Sequence, residues 1–152
     1  MFNATRIPQV TRVAQVGIRD YNEIEYETIH RSERRIQAWF DRDVQVRMMR
    51  GENWHSIVQE IVDALPEKVY VSFDVDGLNP SLCPSTGTPV PGGLEYEQAL
   101  YLIEQVVASG RTLIGCDLVE VAPGDTDWDG NVGARLLWRL LVAMKRSQSE
   151  TA

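Results

Sequence analysis

Histidine and cysteine are scarce in this chain of 152 residues, at two each, and their scarcity narrows the chemistry open to it. Cys83 and Cys116 imply no disulfide framework, and neither has a spaced partner for a ligand role, which fits a reducing, cytoplasmic compartment. No apolar run is long enough to span a bilayer and no basic, apolar leader follows Met1, so neither a membrane nor export is expected. Cations are outnumbered as well: 15 Lys and Arg face 22 Asp and Glu, for a net charge of −7. That balance argues against a nucleic-acid partner, because phosphate binding needs clustered cations to displace condensed counterions. An acidic surface serves solubility and is compatible with a small cationic ligand. Arg31, Arg34 and Arg35 fall in one short polar segment that reads as a solvated helix face.

What is present is the composition of a globular domain, 43% hydrophobic and 24% charged. A chain of this length can bury roughly 70% of its unfolded surface. No repeat or linker divides it, so residues 1–152 are read as one unit. Arg12 to Ile18 reads as a strand, about Glu23 to Phe40 as helical with a break near His30 and Arg31, and Val44 to Met48 as an alternating strand. Glu52 to Leu65 follows a helical period that Pro66 stops. A strand from Val69 to about Val75 leads into a proline- and glycine-rich loop from Gly77 to Gly93, then a helix from about Glu95 to Ser109. Thr112 to Val121 shows little alternation and reads as a strand buried on both faces. A closing helix from about Asn131 to Lys145 is expected to bury Val132, Leu136, Leu137, Leu140, Leu141 and Met144. Strand and helix in succession predict an α/β fold, three layers α/β/α around a mainly parallel sheet.

The chemistry concentrates at the end of the third strand. Val69-Tyr-Val-Ser-Phe-Asp-Val-Asp-Gly-Leu-Asn-Pro80 closes an apolar, β-branched run with Asp74 and Asp76 two residues apart. In extended chain residues i and i+2 share a side, so both carboxylates are expected to converge where ligands collect beyond a parallel strand. Two like charges held this close call for a cation or a shared proton. Hard carboxylate oxygens favour a hard cation over a soft-ligand metal. Asp-x-Asp after a buried strand also occurs in aspartate-nucleophile phosphatases and sugar-nucleotide transferases. Leu78-Asn79-Pro80 leading into a Pro/Gly loop departs from the phosphatase pattern.

The longer match is more specific. Ser72-Phe-Asp-Val-Asp-Gly-Leu-Asn-Pro80, then Pro84-Ser-Thr-Gly-Thr-Pro89 and Pro91-Gly-Gly-Leu94, closely resembles the best-known motif of the ureohydrolases, the arginase and agmatinase family. Asp117-Leu-Val-Glu-Val-Ala-Pro123 resembles that family's strand-end glutamate segment, Asn131-Val-Gly-Ala-Arg135 the start of its last helix, and Gln15-Val-Gly-Ile-Arg19 a strand following its histidine loop. The resemblance implies a partial arginase-like fold and a parent enzyme, homo-oligomeric, with two manganese ions. The implied reaction splits a guanidinium C–N bond of an agmatine- or arginine-like substrate into urea and an amine. Asp74 would bridge the metals, Asp76 would bind one of them, and Glu120 would hold the substrate guanidinium through paired charge-assisted hydrogen bonds. Thr88 matches a family threonine near the substrate. The hydroxyls of Thr86 and Thr88 are open to two readings, orienting site groups or satisfying loop backbone. Asp117 reads as a polar support.

The family's Gly-Gly-Asp-His and Asp-Ala-His-x-Asp segments are missing from this sequence, and Asn79 replaces the aspartate usual at its position. The chain is therefore expected to match the C-terminal half of a ureohydrolase domain, to supply part of the metal site and to be inactive alone. A non-catalytic, weakly metal-binding or oligomerising piece is the alternative. The four tryptophans read as packing residues, with Trp128 singled out because the Gly124–Gly130 loop directly follows the Glu120 strand. A sheet interrupted at its middle would expose an edge and apolar surface.

Overall fold

The computed structural model describes residues 2–149, which fall into two compact units divided between Pro66 and Glu67. In the first unit a short α1 (Phe2–Thr5) precedes β1 (Val13–Ile18), α2 (Glu23–Arg31), β2 (Ile36–Phe40), α3 (Asp41–Met49) and α4 (Trp54–Asp63). β1 and β2 pair in parallel, with an irregularity between Val16 and Ile18 where Gly17 has a positive φ. A capping box starts α2: Glu25 N–H donates to Asn22 Oδ1, and Asn22 N–H to Glu25 Oε2.

Two segments of this unit differ from the sequence reading. The helix does break after Arg31, but Glu33 and Arg34 then take φ values of 51° and 67° and turn the chain into β2. Ile36-Gln-Ala-Trp-Phe40 is a strand because pairing with β1 buries Ile36 and Trp39, a tertiary gain that decides a segment with no strong preference of its own. The expected strand at Val44–Met48 lies within helix α3. Five residues are too few for alternation to decide, and Asp41 and Asp43 in the first turn complement the helix dipole. The arginine segment is also no helix face: Arg35 donates to the carbonyls of Ile7 and Val10, and only Arg31 lies on α2. Trp39 Nε1 and Arg47 both donate to Glu60, and Arg47 also to Glu52, tying β2 and α3 to α4.

The second unit contains β3 (Lys68–Asp74), a 3-10 turn (Val75–Gly77), α5 (Tyr96–Ala108), β4 (Thr112–Val119) and α6 (Trp128–Ser149). β3 and β4 are parallel, as the α5 crossover requires. The register slips at Ile114. There α6 supplies the missing partners: Leu113 N–H donates to buried Ser147 Oγ, and Gln148 Nε2 donates to the Leu113 carbonyl. Leu100, Ile103, Leu113, Val132, Leu136 and Leu140 form the core.

α6 starts at Trp128, three residues before the expected start. It buries Val132, Leu136, Leu140 and Ala143, whereas Leu137 and Leu141 are 40% and 44% exposed and Met144 is half-buried. A hundred degrees per residue places 137 and 141 off the 132–136–140–143 stripe. β4 is likewise covered on one face only, with Ile114 57% exposed. Among the described residues no helix is long and apolar enough to cross a membrane.

Candidate active site

β3 delivers Asp74 at its last position, and there the chain leaves the strand. Asp76 sits inside the 3-10 turn, so the pair converges through the turn and not through the pleat as expected. Asp76 N–H donates to Asp74 Oδ1 at 3.0 Å, closing that turn. Thr88 Oγ1 donates to Asp76 Oδ2 at 2.8 Å, so this loop threonine orients a site carboxylate. Burial pushes the Asp74 carboxyl above the usual carboxylate range; the Asp76 and Glu120 charges push the same way, against the pull of the Asp76 N–H.

Glu120 follows the last residue of β4 and has a φ of 63°. A left-handed backbone is uncommon for a residue with a side-chain stem, and such strain gathers at functional sites. Thr86 Oγ1 donates to the Glu120 carbonyl at 3.0 Å and steadies this conformation. The Glu120 carboxylate lies over Gly87: a Cβ there would stand 3.3 Å from Glu120 Oε2. Asp74, Asp76 and Glu120, named together from sequence, are thus electrostatic neighbours.

The surroundings explain two further positions. Asp117 receives hydrogen bonds from Tyr70 Oη at 3.0 Å and Ser72 Oγ at 2.7 Å, a polar tie across β3 and β4. Asn79 Nδ2 donates to Glu95 Oε1 at 2.8 Å while its Oδ1 accepts from Ser81. An ionised aspartate there has no proton to donate and would repel Glu95. Trp128 is a fastener in this structure, donating from Nε1 to the Ser81 carbonyl at 3.2 Å. Sequence reading missed Asp129: 2% exposed, it accepts the Ser85 N–H across 44 positions, a separation with no local signal.

The donors fit a hard divalent cation in kind, being carboxylate oxygens. In number they fall short, since among the described residues no group of three or more His, Cys, Asp or Glu is arranged to hold a metal ion. A cavity of about 400 Å³ beside Ile29, Trp39 and Arg47, and a groove of about 680 Å³ beside Tyr96, Leu100 and Trp138, are not lined by the three carboxylates.

Comparison with known proteins agrees with the motif reading. The sequence pattern of the arginase family matches residues 2–144. A guanidinobutyrase of Pseudomonas aeruginosa is 41% identical over 107 residues, 64% of this chain and 33% of that protein. An arginase of Schizosaccharomyces pombe is 36% identical over 118 residues, 78% of this chain and 35% of that protein. The crystal structure of a hypothetical agmatinase from Burkholderia thailandensis superposes with a TM-score of 0.73 at 27% identity, covering 99% of this chain and 45% of that one. The fold is therefore arginase-like α/β, and the chain spans less than half the length of these relatives.

Proposed function

Since the chain belongs to the arginase family, we propose that residues 1–152 are the C-terminal part of a single ureohydrolase domain acting on an agmatine- or arginine-like guanidino substrate. The observation that carries this reading is the gathering of Asp74, Asp76 and Glu120, with the Asp74 carboxyl pushed above the usual carboxylate range by partial burial and by the charges of its two neighbours. Such a cluster is costly when partly withdrawn from water and becomes favourable around cations.

Asp74 and Asp76 are the residues that would hold manganese, two ligands of a site whose remaining donors this chain does not contain. When bound, the ions supply an activated water near neutral pH and stabilise developing negative charge. Thr88 keeps the Asp76 carboxylate in one orientation. Glu120, fixed by the Thr86 hydroxyl and seated over Gly87, faces a planar guanidinium with two oxygens and orients it by paired charge-assisted hydrogen bonds. The free cysteines Cys83 and Cys116 support a cytoplasmic setting.

The test measures metal content and urea release side by side in a full-length ureohydrolase carrying this segment. D74N and D76N lose bound manganese and urea release together, because a neutral amide does not balance cationic charge. E120Q keeps its manganese and loses roughly 10- to 100-fold in kcat/KM, as expected for one charge-assisted contact. The 152-residue chain alone, given manganese, releases no urea. Full manganese and normal turnover in D74N would overturn the assignment, and loss of metal in E120Q would move Glu120 among the ligands.

A further inference from the structure

Of four consecutive loop residues, Ser85 to Thr88, the last three touch the site. Ser85 N–H donates to Asp129 Oδ1 at 2.9 Å, and Ser85 Oγ lies 3.4 Å from Asp129 Oδ2. Thr86 holds the Glu120 carbonyl, Gly87 lies beneath the Glu120 carboxylate, and Thr88 holds Asp76. None of the four is in a helix or strand, so no backbone ladder fixes their course. The tie at Ser85 is the one that leaves the site and reaches a long helix, since Asp129 belongs to the first turn of α6.

A carboxylate near a helix N-terminus is stabilised by the helix dipole alone, and that role requires no burial. Asp129 is 2% exposed, and a carboxylate buried to that degree must be hydrogen-bonded to offset its lost hydration. The chain beyond Glu120 closes on the same serine: a Cβ on Gly124 would stand 2.3 Å from Ser85 Oγ and 3.1 Å from Asp129 Oδ2. We propose that Asp129 is a positioning residue, which by anchoring Ser85 to α6 sets the Ser85–Thr88 segment and, through it, the Thr88 hydroxyl on Asp76 and the seat of Glu120. The proposal deepens the reading above and depends on it only for the meaning of Asp76 and Glu120.

The experiment uses NMR on a metal-free full-length ureohydrolase carrying this segment, comparing wild type with D129A, D129N and G124A. In D129A the Ser85 amide exchanges with solvent about tenfold faster, matching the loss of one hydrogen bond, and the Thr88 side chain passes from a single χ1 rotamer to an averaged one. D129N keeps an oxygen acceptor for the Ser85 N–H and retains the single Thr88 rotamer. G124A keeps the Asp129 carboxylate but crowds both it and Ser85 Oγ, loosening the tie between them, so Thr88 averages there too; it decides the matter if D129A does not fold. A role confined to the helix end would change amide protection along α6 and leave Thr88 untouched. A Thr88 rotamer unchanged in D129A, or in G124A where D129A is unfolded, overturns the proposal. Manganese added to the wild-type full-length protein separates the two readings, because failure to broaden the Asp76 and Thr88 resonances there would count against the metal assignment while leaving the Thr88 rotamer result intact.

Discussion

Glu120 offers a sign test of the site's geometry that needs no substrate. Its φ of 63° places it in the left-handed region, where a residue with a Cβ costs about 1–2 kcal/mol more than in ordinary conformations. Glycine escapes that cost but loses about 0.4–1 kcal/mol more backbone freedom on folding than alanine does. Mid-range values leave E120G more stable than E120A by about 0.8 kcal/mol. Comparing these two variants with each other, and not with wild type, cancels the loss of the carboxylate and of its repulsion with Asp74. Ala134, exposed within α6, is the internal control: A134G is expected to destabilise by about 0.5–1 kcal/mol, the opposite sign for the same pair of residues. Urea unfolding followed by circular dichroism resolves this, since a slope of about 1–3 kcal/mol per molar turns the difference into a midpoint shift of a few tenths molar. If E120A equalled or exceeded E120G in stability, Glu120 would not be left-handed and the description of its seat over Gly87 would be wrong.

Two further outcomes probe the fold and its titration. L136A is expected to cost about 2–5 kcal/mol and L137A under about 1 kcal/mol, because Leu136 is fully buried and Leu137 is not; thermal melts of the two variants check the face that α6 presents to its core. For Asp74 the folded-state pKa lies above its unfolded value, so the ionised carboxylate weighs against folding at neutral pH and the penalty fades as pH falls through the folded pKa. D74N is therefore more stable than wild type at pH 7, by no more than about 1 kcal/mol since solvent screens a partly exposed group. That advantage vanishes in acid, which urea midpoints across the pH range will show.

How far the sequence revealed this structure depended on the range of the interaction involved. β3 and its terminal Asp74 were legible because a β-branched run ending in carboxylates is a local pattern, and α4 because its apolar residues keep a helical step over three turns. β2 was not, since Ile36 to Phe40 has no strong preference of its own and becomes a strand by pairing with β1. The apolar stripe of α6 was drawn too wide: leucines are abundant on both faces, and small residues such as Ala143 and Ser147 mark the buried side less visibly. In the site, the acidic residues and the hydroxyls of Thr86 and Thr88 were found by motif, but the backbone turn at Glu120 and the tie at Ser85 were not. The left-handed turn at Glu120 leaves no trace where no glycine stands, and the Ser85–Asp129 bond joins residues 44 positions apart.

The parallel pairing of β3 with β4 also governs when this region becomes ordered on the ribosome. Ser72 waits for Asp117, 45 residues later, before its side of the sheet can close. At ordinary synthesis rates of about 5–20 residues per second that is an interval of roughly 2–9 seconds, during which a β-prone, apolar segment has emerged without its partner. Lys68 stands at one end of that segment, and Asp74 and Asp76 stand at or just beyond the other. Charges at the margins of an apolar strand act as gatekeepers against intermolecular β-pairing. The carboxylates assigned to a metal in the finished fold thus have an earlier occupation, keeping nascent chains apart until β4 arrives.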